Sequence, residues 1–406
     1  MKKFLSLVLA LVMTMSLVTV SAGAKDFTDN SKITYDEAVA VMSAAKVIDG
    51  YAEGDFRPTA TLTRGAAAKI ICNLILGPTT ASALVADAAP YKDVPTNSTF
   101  AGYIAYCQKE GIISGYADGT FKPANSLTGY AFMKMLLGAL GYKSENEGYT
   151  GANWSIQVAK RALNIGLDDD LVGEFNGVKA VNREEACLYA LNTLTADMVE
   201  YDAKTTVSTN GTTVVIAGSK AKEMVNNGNT DGKIFTKDGV MQFAEKYFDN
   251  LTVKTGSDDF SRPANVWKVK AEEIGTYTNT PDASYTKKVE VGDIYKDLGL
   301  GSKIEKKNVS VYVDGVANAS QPAYAITKGD DANKYGDNGV LTEVFYDDDA
   351  ETVTITEINT YIGSINKTVK ATDKKDAYVV VTAEGPVPVQ GFDNEFETDE
   401  KFEDDA

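Results

Sequence analysis

Two arginines stand where a guanidinium is at odds with the helix that carries it. Arg64 follows Thr63 and Arg183 follows Asn182, each at the start of a helical pattern. Thr and Asn are N-cap residues, so both cations face the positive end of a helix dipole, at a cost of about 0.3–1 kcal/mol each. The placement suits an anion better than it suits the fold. A guanidinium beside free helix N–H groups is a receptor for a carboxylate. The alternative is an ion pair with a neighbouring carboxylate of the acidic surface. Trp154 heads a further helical pattern and offers its ring to a sugar face or to a core. Asp29 and Asp93 sit where a carboxylate commonly initiates a turn.

Much other chemistry is closed to this chain. Its 406 residues include no histidine, which removes Ser-His-Asp and Cys-His catalysis and every histidine-based zinc site. Carboxylates, or a Lys or Tyr base, are what an enzyme would have left. The formal charge of −17 makes nucleic acid and anionic lipid poor partners. Gly299-Leu300-Gly301-Ser302-Lys303 lacks the upstream glycine spacing of a phosphate-binding loop. Asp330-Asp331-Ala332-Asn333 with Gly336-Asp337-Asn338, and Asp347-Asp348-Asp349, offer oxygens to calcium but reproduce no calcium loop, and read as solvated acidic turns. Cys72, Cys107 and Cys187 are reactive thiols or, better supported by their apolar helical surroundings, small core residues. The expectation is a protein that is not an enzyme and needs no cofactor or metal.

The elements that position these residues repeat. Gly50-Tyr51-Ala52-Glu53-Gly54-Asp55-Phe56-Arg57-Pro58 returns as Gly115-Tyr116-Ala117-Asp118-Gly119-Thr120-Phe121-Lys122-Pro123, and Leu62-Thr63 as Leu127-Thr128. Ala67, Ile70, Ile71, Leu74 and Ile75, then Phe132, Met135, Leu136, Ala139 and Leu140, mark one buried helix face each. Thr34-Tyr35-Asp36-Glu37 has the spacing of a capping box. A third unit keeps the helices but replaces the turn with Asp168-Asp169-Asp170; Asn182-Arg183-Glu184-Glu185 caps its last helix. Each helix–turn–helix is too small to bury its own apolar face, so the three must pack together, most naturally about a pseudo-threefold axis. Ahead of them Met1-Lys2-Lys3, an apolar run and Ser21-Ala22-Gly23-Ala24 spell a secretory signal peptide, residues 1–24, and no later apolar run is long enough to cross a bilayer.

This pattern resembles the S-layer homology module of exported Gram-positive proteins. The resemblance rests on Phe27-Thr28-Asp29 and Tyr91-Lys92-Asp93-Val94 at unit starts, Trp154 at a helix head, the two turns, Leu62-Thr63-Arg64 and Asn182-Arg183-Glu184-Glu185. It implies three repeats at 25–80, 90–143 and 148–198, forming an all-α three-unit spindle within an α+β multidomain chain. Its grooves would bind a secondary cell-wall polysaccharide bearing acidic, often pyruvylated, amino sugars. The residues expected to line them are Asp29, Arg64, Asp93, Trp154, Arg183 and Glu185. Unit two departs from the pattern with Gly129 in the arginine's place, and units one and two have Ala66 and Ala131 where unit three has Glu185. One groove should therefore be weak or structural, with Lys122 as a possible electrostatic substitute.

From about Tyr201 the texture turns β-rich. Strands are expected at 212–217, 309–315, 352–356 and 378–382, with a helical patch from Val240 to Tyr247, in one or two modules over 201–390. Residues 391–406 read as an acidic tail without a closing strand, disordered or the end of a fragment. The expected function is non-covalent anchoring of an exported surface protein at the cell wall, with self-association in a lattice and no membrane contact after signal cleavage. An anchored adhesin and an anchored polysaccharide-degrading enzyme are the alternatives.

Overall fold

The computed structural model describes residues 27–202, 205–209, 212–216, 220–317, 321–360, 363–369, 378–383 and 395–397. The signal peptide at 1–24 and most of the acidic tail lie outside the described residues. The chain forms two lobes, one of residues up to Thr255 together with Val266–Tyr277, the other of Gly256–Asn265 together with residues from Thr278 onward.

Three helix pairs build the first lobe: α1 (Asp36–Ala44) with α2 (Arg64–Ser82), α3 (Ala101–Lys109) with α4 (Gly129–Ala139), and α5 (Trp154–Asn164) with α6 (Arg183–Thr195). In α2 the helical path breaks at Gly77 (φ 73°), immediately before Pro78. The caps at the second helices form as their sequences dictate. Thr63 and Thr128 accept from Ala66 N–H (3.2 Å) and Ala131 N–H (3.4 Å), and Asn182 with Glu185 makes a reciprocal capping box. The box expected at Thr34 does not form, because Tyr35 takes the N-cap position without a side-chain bond. The two groups have other partners: Thr34 N–H donates to Glu184 (2.7 Å), and the Glu37 carboxylate accepts the indole N–H of Trp267 (2.5 Å).

The pairs close on one another rather than stacking in a line. The first helix of each pair leans on the second helix of the preceding one, α3 on α2 and α5 on α4, and α1 packs against α6. At the centre Leu62 N–H donates to Val181 C=O (2.8 Å), Leu127 N–H to Leu62 C=O (2.9 Å) and Val181 N–H to Leu127 C=O (2.9 Å). Backbone groups that would otherwise be orphaned in the interior are thus satisfied in a three-membered circuit. Around it lies an apolar core that takes in all three cysteines, each fully buried.

The core does not stop where the repeat pattern stops. A short helix α7 (Phe243–Tyr247) packs on α2 and α6, and Phe243, Leu251, Val253, Trp267 and Ile274 join the same cluster. The helical patch expected from Val240 begins only at Phe243. Val240 bridges to Val225, and Met241 exchanges backbone bonds with Met198 and Met224, so these residues are held extended.

The second lobe carries a five-stranded sheet in the order Val316–Ala317, Val309–Val313, Thr352–Asn359, Val340–Asp347, Ala283–Tyr285. Val309–Val313 runs parallel to Thr352–Asn359 and the other neighbours are antiparallel. Val311, Val344, Val353 and Ile355 form its core with Ile294 from a helix α8 (Val291–Asp297) and with Tyr335. Gly363–Val369, Tyr378–Ala383 and Glu395–Glu397 make a separate three-stranded sheet, so the acidic end does include a strand. A two-stranded hairpin joins Thr205–Thr209 to Thr212–Ile216. Eight α-helices and these sheets make the described residues a mixed α+β structure. None of the described helices is long and apolar enough to cross a membrane.

Candidate functional site

The site is built where the second helix of one pair meets the turn of the next. In the two intact turns a carboxylate fixes the backbone. Asp29 accepts from Phe56 N–H (2.7 Å) and Arg57 N–H (2.8 Å), and Asp93 from Phe121 N–H and Lys122 N–H (both 2.7 Å). Burial raises the pKa of both carboxyls, but the backbone N–H donors outweigh it and hold them below the usual aspartate range. These donors keep Arg57 and Lys122 in the left-handed region (φ 57° and 58°), which non-glycine residues seldom adopt. Both aspartates therefore hold the turns.

The turns in turn receive the arginines. Arg64 donates from Nε to Phe121 C=O (2.7 Å) and from Nη2 to Ser114 C=O (3.4 Å). Its guanidinium lies 4.3 Å from the centroid of Phe121 and 5.1 Å from that of Tyr116. Arg183 repeats the arrangement on the first turn, with Nε to Phe56 C=O (2.9 Å), Nη2 to Asp49 C=O (2.8 Å), and rings Phe56 and Tyr51 at 4.7 and 4.8 Å. Carbonyl oxygens and ring faces thus compensate the unfavourable helix position. Burial lowers the Arg64 pKa, though not out of the range in which arginine is charged.

One part of the anion-receptor reading is corrected. The helix N–H groups beside the arginines are not free. Arg64 and Gly65 N–H donate to Asn125 and Pro123 C=O, and Arg183 and Glu184 N–H to Ala60 and Pro58 C=O. The neighbouring turn has taken the dipole's positive end, so what is left for a ligand is the guanidinium N–H groups not bound through Nε and Nη2 to the turn carbonyls. The alternative, an ion pair with a neighbouring carboxylate, is made by neither arginine among the described residues.

Around Arg64 the surfaces form a cleft of about 440 Å³ lined by Tyr116, Phe121, Thr128, Lys134 and Trp154. Lys134 lies 5.5 Å from the Trp154 ring centroid and donates to Tyr149 C=O (2.8 Å); burial lowers its pKa. The structure thus brings Arg64 and Trp154 together and adds Lys134, Tyr116 and Tyr51, which sequence reasoning missed as site residues. Recurrence of Tyr51 and Tyr116 in the repeated turn, and of Lys69 and Lys134 on the helices, was the available signal. Glu185 is placed elsewhere. One oxygen accepts Asn182 N–H (3.0 Å) and the other pairs with Lys179 (2.8 Å), so it serves as a cap.

The third meeting point differs. Phe175-Asn176-Gly177 stands where Phe56-Arg57-Pro58 and Phe121-Lys122-Pro123 stand, so part of the turn survives past the acidic run. A Cβ on Gly129 would meet Gly177 Cα at 3.0 Å and the Phe175 ring at 3.2 Å. Tyr130 packs edge-on against Phe175 at 5.9 Å, covering the ring that a guanidinium covers elsewhere. Lys122 does not compensate there: its Nζ sits 4.4 Å from the centroid of Tyr116, in the Arg64 groove.

The family model of the S-layer homology domain matches residues 26–68 and 90–129. The chain is 25% identical over 368 residues to a surface layer protein of Brevibacillus choshinensis, covering 81% of this chain and 32% of the relative. It is 24% identical over 204 residues to a middle cell wall protein of Brevibacillus brevis, covering 49% and 19%. It is also 26% identical over 188 residues to an endoglucanase of a Bacillus species, covering 43% and 20%. The chain spans about a third or less of the length of these curated relatives. These matches mark it as a cell-surface protein containing the S-layer homology domain. Its place is outside the cell, at the cell wall.

Proposed function

We propose that the first lobe anchors the protein non-covalently to an acidic, pyruvylated secondary cell-wall polysaccharide, and that the chain is a structural component of a surface layer able to self-associate. The third helix pair, 148–198, then counts as a third repeat of the same spindle. The observation that carries the reading is the Arg64 cleft. A guanidinium edge, an ammonium and exposed aromatic faces converge in an otherwise acidic protein, the combination that binds a carboxylate on a sugar. Arg183 with Tyr51 offers a second such groove, and the Gly129 position offers none.

The test is co-sedimentation of the full mature chain with purified walls, before and after chemical removal of the secondary polymer. Pelleting should vanish with the polymer and weaken in Arg64→Lys with Arg183→Lys. Pelleting that persists on stripped walls overturns the reading. The endoglucanase relative favours a second reading, an anchored polysaccharide hydrolase; release of reducing sugar from wall glycans by the full chain would establish it.

A further inference from the structure

We propose that Cys72 and Cys107 are a paired modification site, closing into a disulfide that ties α2 to α3 when the exported chain folds under oxidising conditions. The two Sγ atoms are 3.6 Å apart in van der Waals contact, on helices of successive pairs, and both residues are fully buried. A disulfide needs an S–S distance of about 2.05 Å, so closure asks for an approach of roughly 1.5 Å between the two sulfurs. It gives up only weak contacts, Cys72 Sγ to Tyr103 C=O (3.6 Å) and Cys107 Sγ to Ala68 C=O (3.7 Å). Cys187 lies on α6 and serves as an internal control.

The chemistry balances with a disulfide oxidant of the glutathione type. One cysteine thiolate attacks it and releases a glutathione thiolate; the second cysteine thiolate then displaces the other. Two cysteines lose two protons and two electrons, and the oxidant leaves as two thiols. In the folded protein neither sulfur is accessible, and the contact with Cys72 together with burial pushes the Cys107 thiol up. The step therefore belongs to the folding chain in an oxidising compartment. Its effect is to pin the connection carrying the Gly77 break and to fasten the first helix pair to the second.

The full mature chain would be unfolded with reductant and refolded either in a glutathione redox buffer or in reductant alone. Alkylation under denaturing conditions and peptide mapping then read the cysteines. The expected result is a Cys72–Cys107 crosslink with Cys187 alkylated, and a Tm several degrees higher in the oxidised sample. Three alkylated cysteines, glutathione adducts at either position, or a crosslink to Cys187 would overturn the proposal. The Tm difference should disappear in Cys107→Ser and survive in Cys187→Ala; the reverse pattern also overturns it.

Discussion

Arg64 and Phe121 hold each other twice. The carbonyl of Phe121 accepts from Arg64 Nε at 2.7 Å while its ring centroid lies 4.3 Å from the same guanidinium. A residue read as a ligand receptor is therefore also a fastener between the first and second helix pairs, and substitutions must separate the two roles.

Arg64→Lys keeps the charge but loses the planar fork and the Nε donor. Wall binding should fall about tenfold, the loss of a bond worth about 1.5 kcal/mol. Tm should move only slightly, since Lys can still snorkel along the ring. Binding isotherms on walls with parallel thermal melts check both. Unchanged affinity would remove Arg64 from the site.

Gly129→Arg restores the arginine pattern in sequence and should fail in practice. The added Cβ meets Gly177, Asn176 and Phe175 at 3.0–3.2 Å, and Tyr130 already covers the Phe175 ring. A destabilisation of about 1–3 kcal/mol is expected, with no gain in ligand stoichiometry. Urea unfolding and titration with the isolated polymer measure the two. An additional site in a stable variant contradicts the account of the third groove.

Trp267→Phe removes the donor that Glu37 accepts and should cost about 1–3 kcal/mol. Cutting the chain at residue 200 should be worse, because Phe243, Leu251, Val253 and Ile274 leave the core with Trp267. Such a fragment should bind hydrophobic dyes and unfold without a sharp transition. A cooperative melt at the full chain's Tm would show that the repeats fold alone.

Asp29 and Asp93 set an acid limit. Their folded pKa values lie below the unfolded ones, so their contribution is complete above the ordinary aspartate pKa of about 4 and is lost as pH falls through the folded value. Asp29→Asn with Asp93→Asn should lower stability at pH 7 and flatten its decline below about pH 4. Denaturant midpoints across that range provide the check. A decline as steep as the parent's would locate the acid sensitivity elsewhere.

What could be read in the sequence was local. Thr63, Thr128 and Asn182 cap helices because each places a short polar side chain three residues before a helix N–H that needs an acceptor. The Asp29 and Asp93 clamps follow from the turn that recurs beside them. The failures are non-local. Arg64 and its carbonyl partner are 57 residues apart, Arg183 and Phe56 are 127, and Glu37 and Trp267 are 230. Nothing in helical periodicity says that a turn from the next pair will occupy the helix N–H groups. Nor does it say that Thr34 and Glu37 will find remote partners in place of each other. The third turn was missed because its Phe175-Asn176-Gly177 lacks the proline and the tyrosine that made the other two conspicuous.

The circuit of Leu62, Leu127 and Val181 restricts how such a chain can change. Each member gives its N–H to one neighbour and its C=O to the other, so every donor and acceptor of the three is used. An open solenoid tolerates an extra repeat, because the newcomer finds one free face. Here a duplicated helix pair would find none, and a deleted one would strand a donor and an acceptor in the interior. Copy number within this lobe is therefore tied to the three-membered circuit, and change is left to fall on the grooves between its pairs.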